Sequence, residues 1–480
     1  MSAYIKLKEI FREASLSSDI AGILHWDMST MMPKNSRKQR ADQLAYLSKI
    51  SHEKISSNEV KDLIFEAKKE SLSQNDLHNL KEIEREHKLN SSVPSDLVQQ
   101  ISKISAKCEG EWQEARKKSD FNLIKYTLNE LIKLTKEEAN ILGKVFNLLP
   151  YEALVNKFEP GSNINLISNV FDDLQKFLTP LIDIIIEKQK TQKLLSIQNK
   201  ISENQQKEIA EYIMKLIGFD FNRGRLDTSA HPFCGGSTND VRITTRYNKD
   251  NPFSSLDGVM HETGHALYEL NLPKKWSHQP VGRSRGMTMH ESQSLMIEMQ
   301  ITRSLAFKKF LSKVLKDKFN IMDKSFDAVN LYLLGTNVKK SFIRVESDEV
   351  TYPLHIILRF NLERRIFNNE LSVSDIPDAW NEEYKRLFDK KVEKDDDGCL
   401  QDVHWHAGLF GYFPTYSLGA LTAAQFAYQL RNDLPELDSN IEKGKFDDLI
   451  KWLKTNIHEK ASFFSTNEVL EQVTNSSLNA

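Results

Sequence analysis

Apolar residues spaced three and four apart run through most of this chain, and little interrupts them. Within 95–118, Leu97, Ile101, Ile104, Cys108 and Trp112 form one stripe behind Pro94, a residue suited to a helix start. Similar stripes predict helices over 122–148, 163–190, 204–217, 292–318 and 351–368, with their aromatic and methionine positions read as core. Only 18 glycines and 13 prolines occur in 480 residues, roughly half the share of about 12% in average usage. Turns are therefore few and helices long. The one clear strand signal is 240–247, where Val241, Ile243 and Thr245 alternate with Arg242, Thr244 and Arg246; as an edge strand it would hydrogen-bond an extended peptide. No linker rich in proline or serine divides the chain. The expected body is one mainly α unit over 1–480 with a cleft, whole or in two helical lobes, and a frayed tail over 474–480.

Charge narrows the partners. Lys and Arg number 65 against 67 Asp and Glu, a net charge of −2, so nothing in bulk draws the surface to nucleic acid or to an acidic membrane. No stretch approaches about 18 apolar residues, and the polar start over 1–9 lacks the apolar core of a signal peptide. Cys108, Cys234 and Cys399 are odd in number and scattered, which fits a reducing compartment and an expected cytoplasmic location.

The chemistry concentrates around His261, Glu262, Thr263, Gly264 and His265, an H-E-x-x-H pattern. On a helix, positions four apart share a face, so both imidazoles reach one metal while Glu262, one step round, is placed as a base for water. The expected setting is mid-helix: a loop and acidic start over 252–257, then a helical run stopped by Asn271, Leu272 and Pro273. Gly264, a poor helix former, is expected to admit close approach of another segment or of substrate. Glu291, 26 positions after His265, is the candidate third ligand, preferred over His290, which is offset by about 100°. Two surface histidines on an ordinary helix are the bland alternative. Glu298, two turns beyond Glu291, either orients a ligand imidazole or is a solvated carboxylate.

Further along, Arg344 sits between apolar residues, where a guanidinium needs an anion: Asp348, four residues on, or a substrate carboxylate. Gln401, Asp402, His404 and His406 crowd into one short segment, a density unusual outside a site, and Tyr412 and Tyr416 follow with phenols able to donate to an oxyanion.

Ordered motifs give these residues a family context. His231-Pro232-Phe233 (HPF), Asp240 to Thr244 (DxRxT), His261 to His265 (HExxH), His290 to Gln293 (HESQ), Ile343 to Asp348 (IRxxAD) and Gly398 to Trp405 (GxxQDxHW) resemble the motifs of the carboxypeptidase Taq family of metallocarboxypeptidases. The resemblance spans essentially the whole chain, including Leu24 to Asp27 and the segment 32–45. Two departures stand out: Ser347 replaces the Ala of IRxxAD, and Leu295 and Ile297 follow HESQ where Arg and Trp are common. The resemblance implies a mostly helical fold with a deep groove and a small sheet near the metal, usually as a homodimer. It implies a zinc enzyme, in which cobalt can substitute, that releases single residues from peptide C-termini with broad preference. Carried over, His261, His265 and Glu291 match the metal ligands, Glu262 the base and Arg344 the reader of the terminal carboxylate. His231, Asp240, Arg242, His404 and Tyr416 match groove positions, with His404 or a tyrosine supporting the oxyanion. An endo-oligopeptidase or a dipeptidyl carboxypeptidase on the same scaffold is the alternative, and a non-catalytic, metal-stabilised helical scaffold a remote one, since a structural zinc needs no base.

Overall fold

A computed structural model describes residues 1–197, 201–249 and 251–480. These residues form two compact units. The first comprises 1–91, 194–335 and 419–478, and the second 92–193, 336–418 and 479–480. Both are helical, and the first also carries a three-stranded sheet.

In the first unit, Tyr4, Leu7, Phe11 and Ala14 of the helix Ala3–Thr30 pack with Ile55, Val60, Ile64, Leu80 and Ile83 into one apolar cluster. The strands are β1 (Gly224–Thr228), β2 (Cys234–Ser237) and β3 (Asp240–Thr245). Their order is β1-β3-β2, with β1 parallel and β2 antiparallel to β3. The predicted strand exists, but it is the central one. Its backbone groups are taken up on both sides, so it offers no free edge to a peptide, contrary to the expectation from sequence. Val241 and Ile243 are fully buried, and β3 packs against the helix Pro252–Leu270.

That helix begins earlier than the expected loop. Asn251 caps it, its side chain accepting from Ser254 N, and Pro252 takes the first helical position, where a missing N–H costs nothing. It ends at Leu270, with Asn271 as cap. The run predicted over 292–318 is broken. A helix Gly286–Leu295 leads into a π-helical stretch Met296–Thr302, and a new helix Leu305–Phe319 starts behind Ser304, whose hydroxyl accepts from Phe307 N. A serine that caps offers its own backbone an exit from the preceding helix. The tail is only partly loose: the last helix closes at Thr474, yet Leu478 is buried and Gln425 donates to the Ser477 carbonyl.

In the second unit, helices Ser95–Lys118, Lys125–Phe146, Ile164–Gln189 and Tyr352–Phe367 lie within a residue or a few of their sequence-derived spans. Glu363 ties this unit's later loops together. Fully buried, it accepts from Tyr151 Oη at 2.7 Å, Trp405 Nε1 at 2.7 Å and Gly411 N at 2.9 Å. Burial pushes its carboxyl up to about 7, against the pull of those donors.

Candidate metal centre

His261 and His265 project from one face of Pro252–Leu270, and Glu291 reaches them from Gly286–Leu295. One ligand atom of each lies within 4.8 Å of the others. The nitrogens turned toward Glu291 are the two Nε2 atoms, 3.8 Å (His261) and 3.6 Å (His265) from its Oε2. The spacing of the two helices is set by glycine. A Cβ on Gly264 would stand 2.3 Å from the Gln293 carbonyl oxygen and 2.6 Å from Ser294 Cα, so the expected close approach is that of the neighbouring helix backbone. Glu291 is hemmed in likewise: a Cβ on Gly419 would fall 2.7 Å from its Cβ.

The outward nitrogens of both imidazoles are engaged. His261 Nδ1 lies 2.8 Å from Glu298 Oε2, and Glu298 is paired in turn with Arg303. Of the two surroundings expected for Glu298, the structure shows contact with the candidate ligand imidazole of His261 rather than a solvated carboxylate. His265 Nδ1 lies 2.6 Å from Nδ1 of His290, whose Nε2 sits 3.0 Å from Glu269 Oε1. Glu262 is buried beside them, at 8% exposure.

Electrostatics supports a cation at this point. Burial by itself depresses His261, yet Glu291, Glu298 and Glu262 outweigh it and lift the imidazole to about 10. Burial raises Glu262 to about 7, with His261 pulling the other way and Glu291 adding to the rise. Burial, His290 and His261 together hold His265 well below its ordinary value. An imidazole that must hold a proton to satisfy its neighbouring carboxylates marks a place where a metal ion would supply that charge instead. Two imidazoles and one carboxylate, with positions left for water and a base alongside, fit a catalytic zinc-type site better than a closed structural one.

A second buried cluster lies in the other unit. Arg344 donates through Nε and Nη2 to Asp402 Oδ1, at 3.0 and 2.8 Å, and through Nη1 to Tyr352 Oη at 2.9 Å. Asp402 also accepts from Arg359 Nε at 2.6 Å. The sequence-adjacent candidate, Asp348, is not the partner. Its carboxylate accepts from the backbone of Lys339, Val350 and Thr351 and from the Thr351 hydroxyl. The reason is local: Arg344–Glu346 is a single 3-10 turn followed by extended Ser347, so residues four apart do not share a face. Arg344 uses three of its five N–H groups in these bonds, leaving two. His404 Nε2 lies 3.1 Å from Tyr416 Oη, and burial holds that imidazole down at about 4.

A family model described as Carboxypeptidase Taq (M32) metallopeptidase matches residues 6–480. The chain belongs to this family. Carboxypeptidase 1 of Bacillus subtilis is 33% identical over 474 residues, 98% of this chain and 94% of that protein. Thermostable carboxypeptidase 1 of Thermus thermophilus is 34% identical over 489 residues, 98% of this chain and 95% of its own. Among solved structures, Trypanosoma cruzi metallocarboxypeptidase 1 superposes with a TM-score of 0.97 at 37% identity, covering 99% of this chain and 97% of that one. As a member of this family the chain is a metal-dependent carboxypeptidase, a peptide hydrolase.

In this metallocarboxypeptidase the remaining sequence candidates have different surroundings. Asp240 and Arg242 bond to each other, at 2.5 and 2.7 Å, and the Arg242 guanidinium lies 4.4 Å from the Trp26 ring centre. His231 is exposed, its carbonyl accepting from Ser229 Oγ. Gln401 accepts from Arg344 N at 2.8 Å, and His406 is fully buried and stacked on Trp112. Sequence reasoning missed Glu269, Arg303, Arg359 and Gly419. Glu269 alone was in plain view, one further turn along the stripe of His261 and His265.

Proposed function

We propose that the enzyme releases single residues from the C-termini of peptides with broad preference, using zinc held by His261, His265 and Glu291, with cobalt able to substitute. The observation that carries this reading is the convergence of two imidazoles and a carboxylate within 4.8 Å, with buried Glu262 beside them. A divalent ion bound there would supply Lewis acidity to a water and to the scissile carbonyl. Glu262 takes the proton from the attacking water and passes it to the leaving amine, a task suited to a carboxyl that burial brings to about 7. Glu298 holds His261 from behind through Nδ1. Arg344 receives the terminal carboxylate with the two N–H groups that Asp402 and Tyr352 leave unused, while Asp402 and Tyr352 hold its orientation. Following the family resemblance, His404 and Tyr416 support the oxyanion, and His231, Asp240 and Arg242 contact substrate.

No helix among the described residues is long and apolar enough to cross a membrane. Three free cysteines fit a cytoplasmic enzyme, and the resemblance points to a homodimer in solution, which a mass measurement at working concentration checks. The deciding experiment follows cut positions on a peptide series with free and amidated C-termini. Stepwise loss of one residue from free ends, with amidated peptides cut far more slowly, is the expected result. Equal cleavage of both at internal bonds would establish the endo-oligopeptidase reading, and release of residue pairs the dipeptidyl one.

A further inference from the structure

The two ligand imidazoles are held by different means. His261 meets a carboxylate directly, through Glu298, whereas His265 meets another histidine. An imidazole pair bonded nitrogen to nitrogen is ambiguous, because either ring can be the donor. Here the ambiguity has chemical weight. If His290 donated from Nδ1, His265 Nδ1 would accept, and the proton of neutral His265 would sit on Nε2, the nitrogen turned toward Glu291. A nitrogen carrying that proton cannot ligate a metal.

We propose that Glu269, acting through His290, sets the proton position of His265 and so prepares it as a ligand; this rests on the reading of His261, His265 and Glu291 as the metal ligands. An ionised carboxylate only accepts. With Glu269 Oε1 at 3.0 Å, a neutral His290, the state that the relay requires, holds its single proton on Nε2 and donates it there. Its Nδ1 is then bare and accepts from His265 Nδ1 at 2.6 Å, which leaves His265 Nε2 with a lone pair toward the metal. Glu269 is itself fixed in place, with Ser284 bonding to it and Arg283 nearby. The ring of His290 also packs against that of Tyr268, whose centre lies 5.5 Å away. His290 and Glu269 are thus positioning residues that build, in two steps, the carboxylate-to-imidazole contact that His261 makes directly.

The test measures zinc affinity of the whole enzyme by competition with a chromogenic chelator, so it does not depend on turnover. His265→Ala must first lose affinity. If it binds zinc like the wild type, the ligand reading itself has failed. Given that loss, His290→Leu removes the acceptor and is expected to weaken binding by at least ~10-fold, the usual scale for a lost outer partner. His290→Asn places an amide oxygen on Cγ where the imidazole carried Nδ1, restoring the acceptor, and is expected to bind near wild-type strength. Glu269→Ala should weaken zinc in the wild-type background and cost nothing further in the His290→Asn background, where the carboxylate has no proton to direct. A mere charge effect of Glu269 would cost the same in both backgrounds, and that result overturns the proposal, as does full affinity in His290→Leu. Should the variants not fold, ¹⁵N spectra of histidine-labelled, zinc-loaded wild type decide: a proton on Nδ1 of His290 overturns the relay, and one on Nε2 supports it.

Discussion

Around His261 and His265, four carboxylates gather, those of Glu262, Glu269, Glu291 and Glu298, with Arg303 paired to Glu298. Around Asp402, two guanidiniums share one carboxylate. The first cluster is short of a cation and the second short of an anion. Their titration differs as well: at the first, His261 rises to about 10, while at the second burial drives Arg359 down to about 10 despite Asp402, and Asp402 holds Arg344 well above its ordinary value against burial. Buried charge left uncompensated by the chain costs free energy, so these signs suit the proposed metal at the first cluster and the proposed terminal carboxylate at the second.

Removing the metal should have the largest effect. Chelation is expected to abolish hydrolysis, and zinc or cobalt to restore it, with His265→Ala and Glu291→Ala binding no metal. Full metal content and turnover in Glu291→Ala would name a different third ligand. Next comes the base: Glu262→Gln keeps the size but cannot take a proton, so turnover should fall at least ~10²-fold at unchanged metal content. Turnover at the wild-type rate would place the base elsewhere.

The anion-seeking cluster should fail in a different way. Asp402→Asn leaves two buried guanidiniums without their carboxylate and is expected to cost about 3–5 kcal/mol of stability at neutral pH, read by denaturant unfolding. Burial pushes Asp402 up, but Arg344 and Arg359 prevail and hold it well below the usual carboxylate range. A depressed folded pKa gives stability that is present above the unfolded value of about 3.9 and lost as pH falls toward the folded one. The gap between wild type and Asp402→Asn should therefore narrow below about pH 4. A constant gap would mean that the two guanidiniums do not depend on the charge of Asp402.

Arg344→Ala should lower kcat/KM on free peptides by the equivalent of roughly 2–4 kcal/mol while scarcely touching amidated ones. Equal losses on both would give Arg344 a purely internal role. The smallest effect is expected behind His261: Glu298→Gln should reduce metal affinity by about 10- to 100-fold, again by chelator competition.

How much of this was legible beforehand follows from distance along the chain. His261, Glu262 and His265 sit within one helical turn, where spacing alone dictates a shared face, and the helix Ser95–Lys118 was equally readable from its stripe and Pro94. Glu291 required the HESQ context as well as spacing. Asp402 lies 58 residues from Arg344 and 43 from Arg359, and no local rule connects them, so the nearer Asp348 was the natural but mistaken partner. Strands β1 and β2 escaped notice because Gly-Arg-Leu-Asp-Thr and Cys-Gly-Gly-Ser carry hardly any alternation, and their pairing comes from β3. That same pairing turned an expected edge into a centre.

The π-helical stretch Met296–Thr302 invites a reading in terms of insertion and deletion. A wide turn inside a helix amounts to an ordinary helix carrying one residue too many. Deleting one residue from it would let the backbone relax into regular α-helix, which by local criteria is a gain. A deletion between Glu298 and Arg303 would bring the two from five positions apart, one π-helical turn, to four apart, one α-helical turn, so Arg303 would stay on the face of Glu298, whose other oxygen supports His261. At this point in the chain, one residue can be lost without parting the charged pair behind His261, whereas the same loss from a regular helix would turn that pair onto different faces.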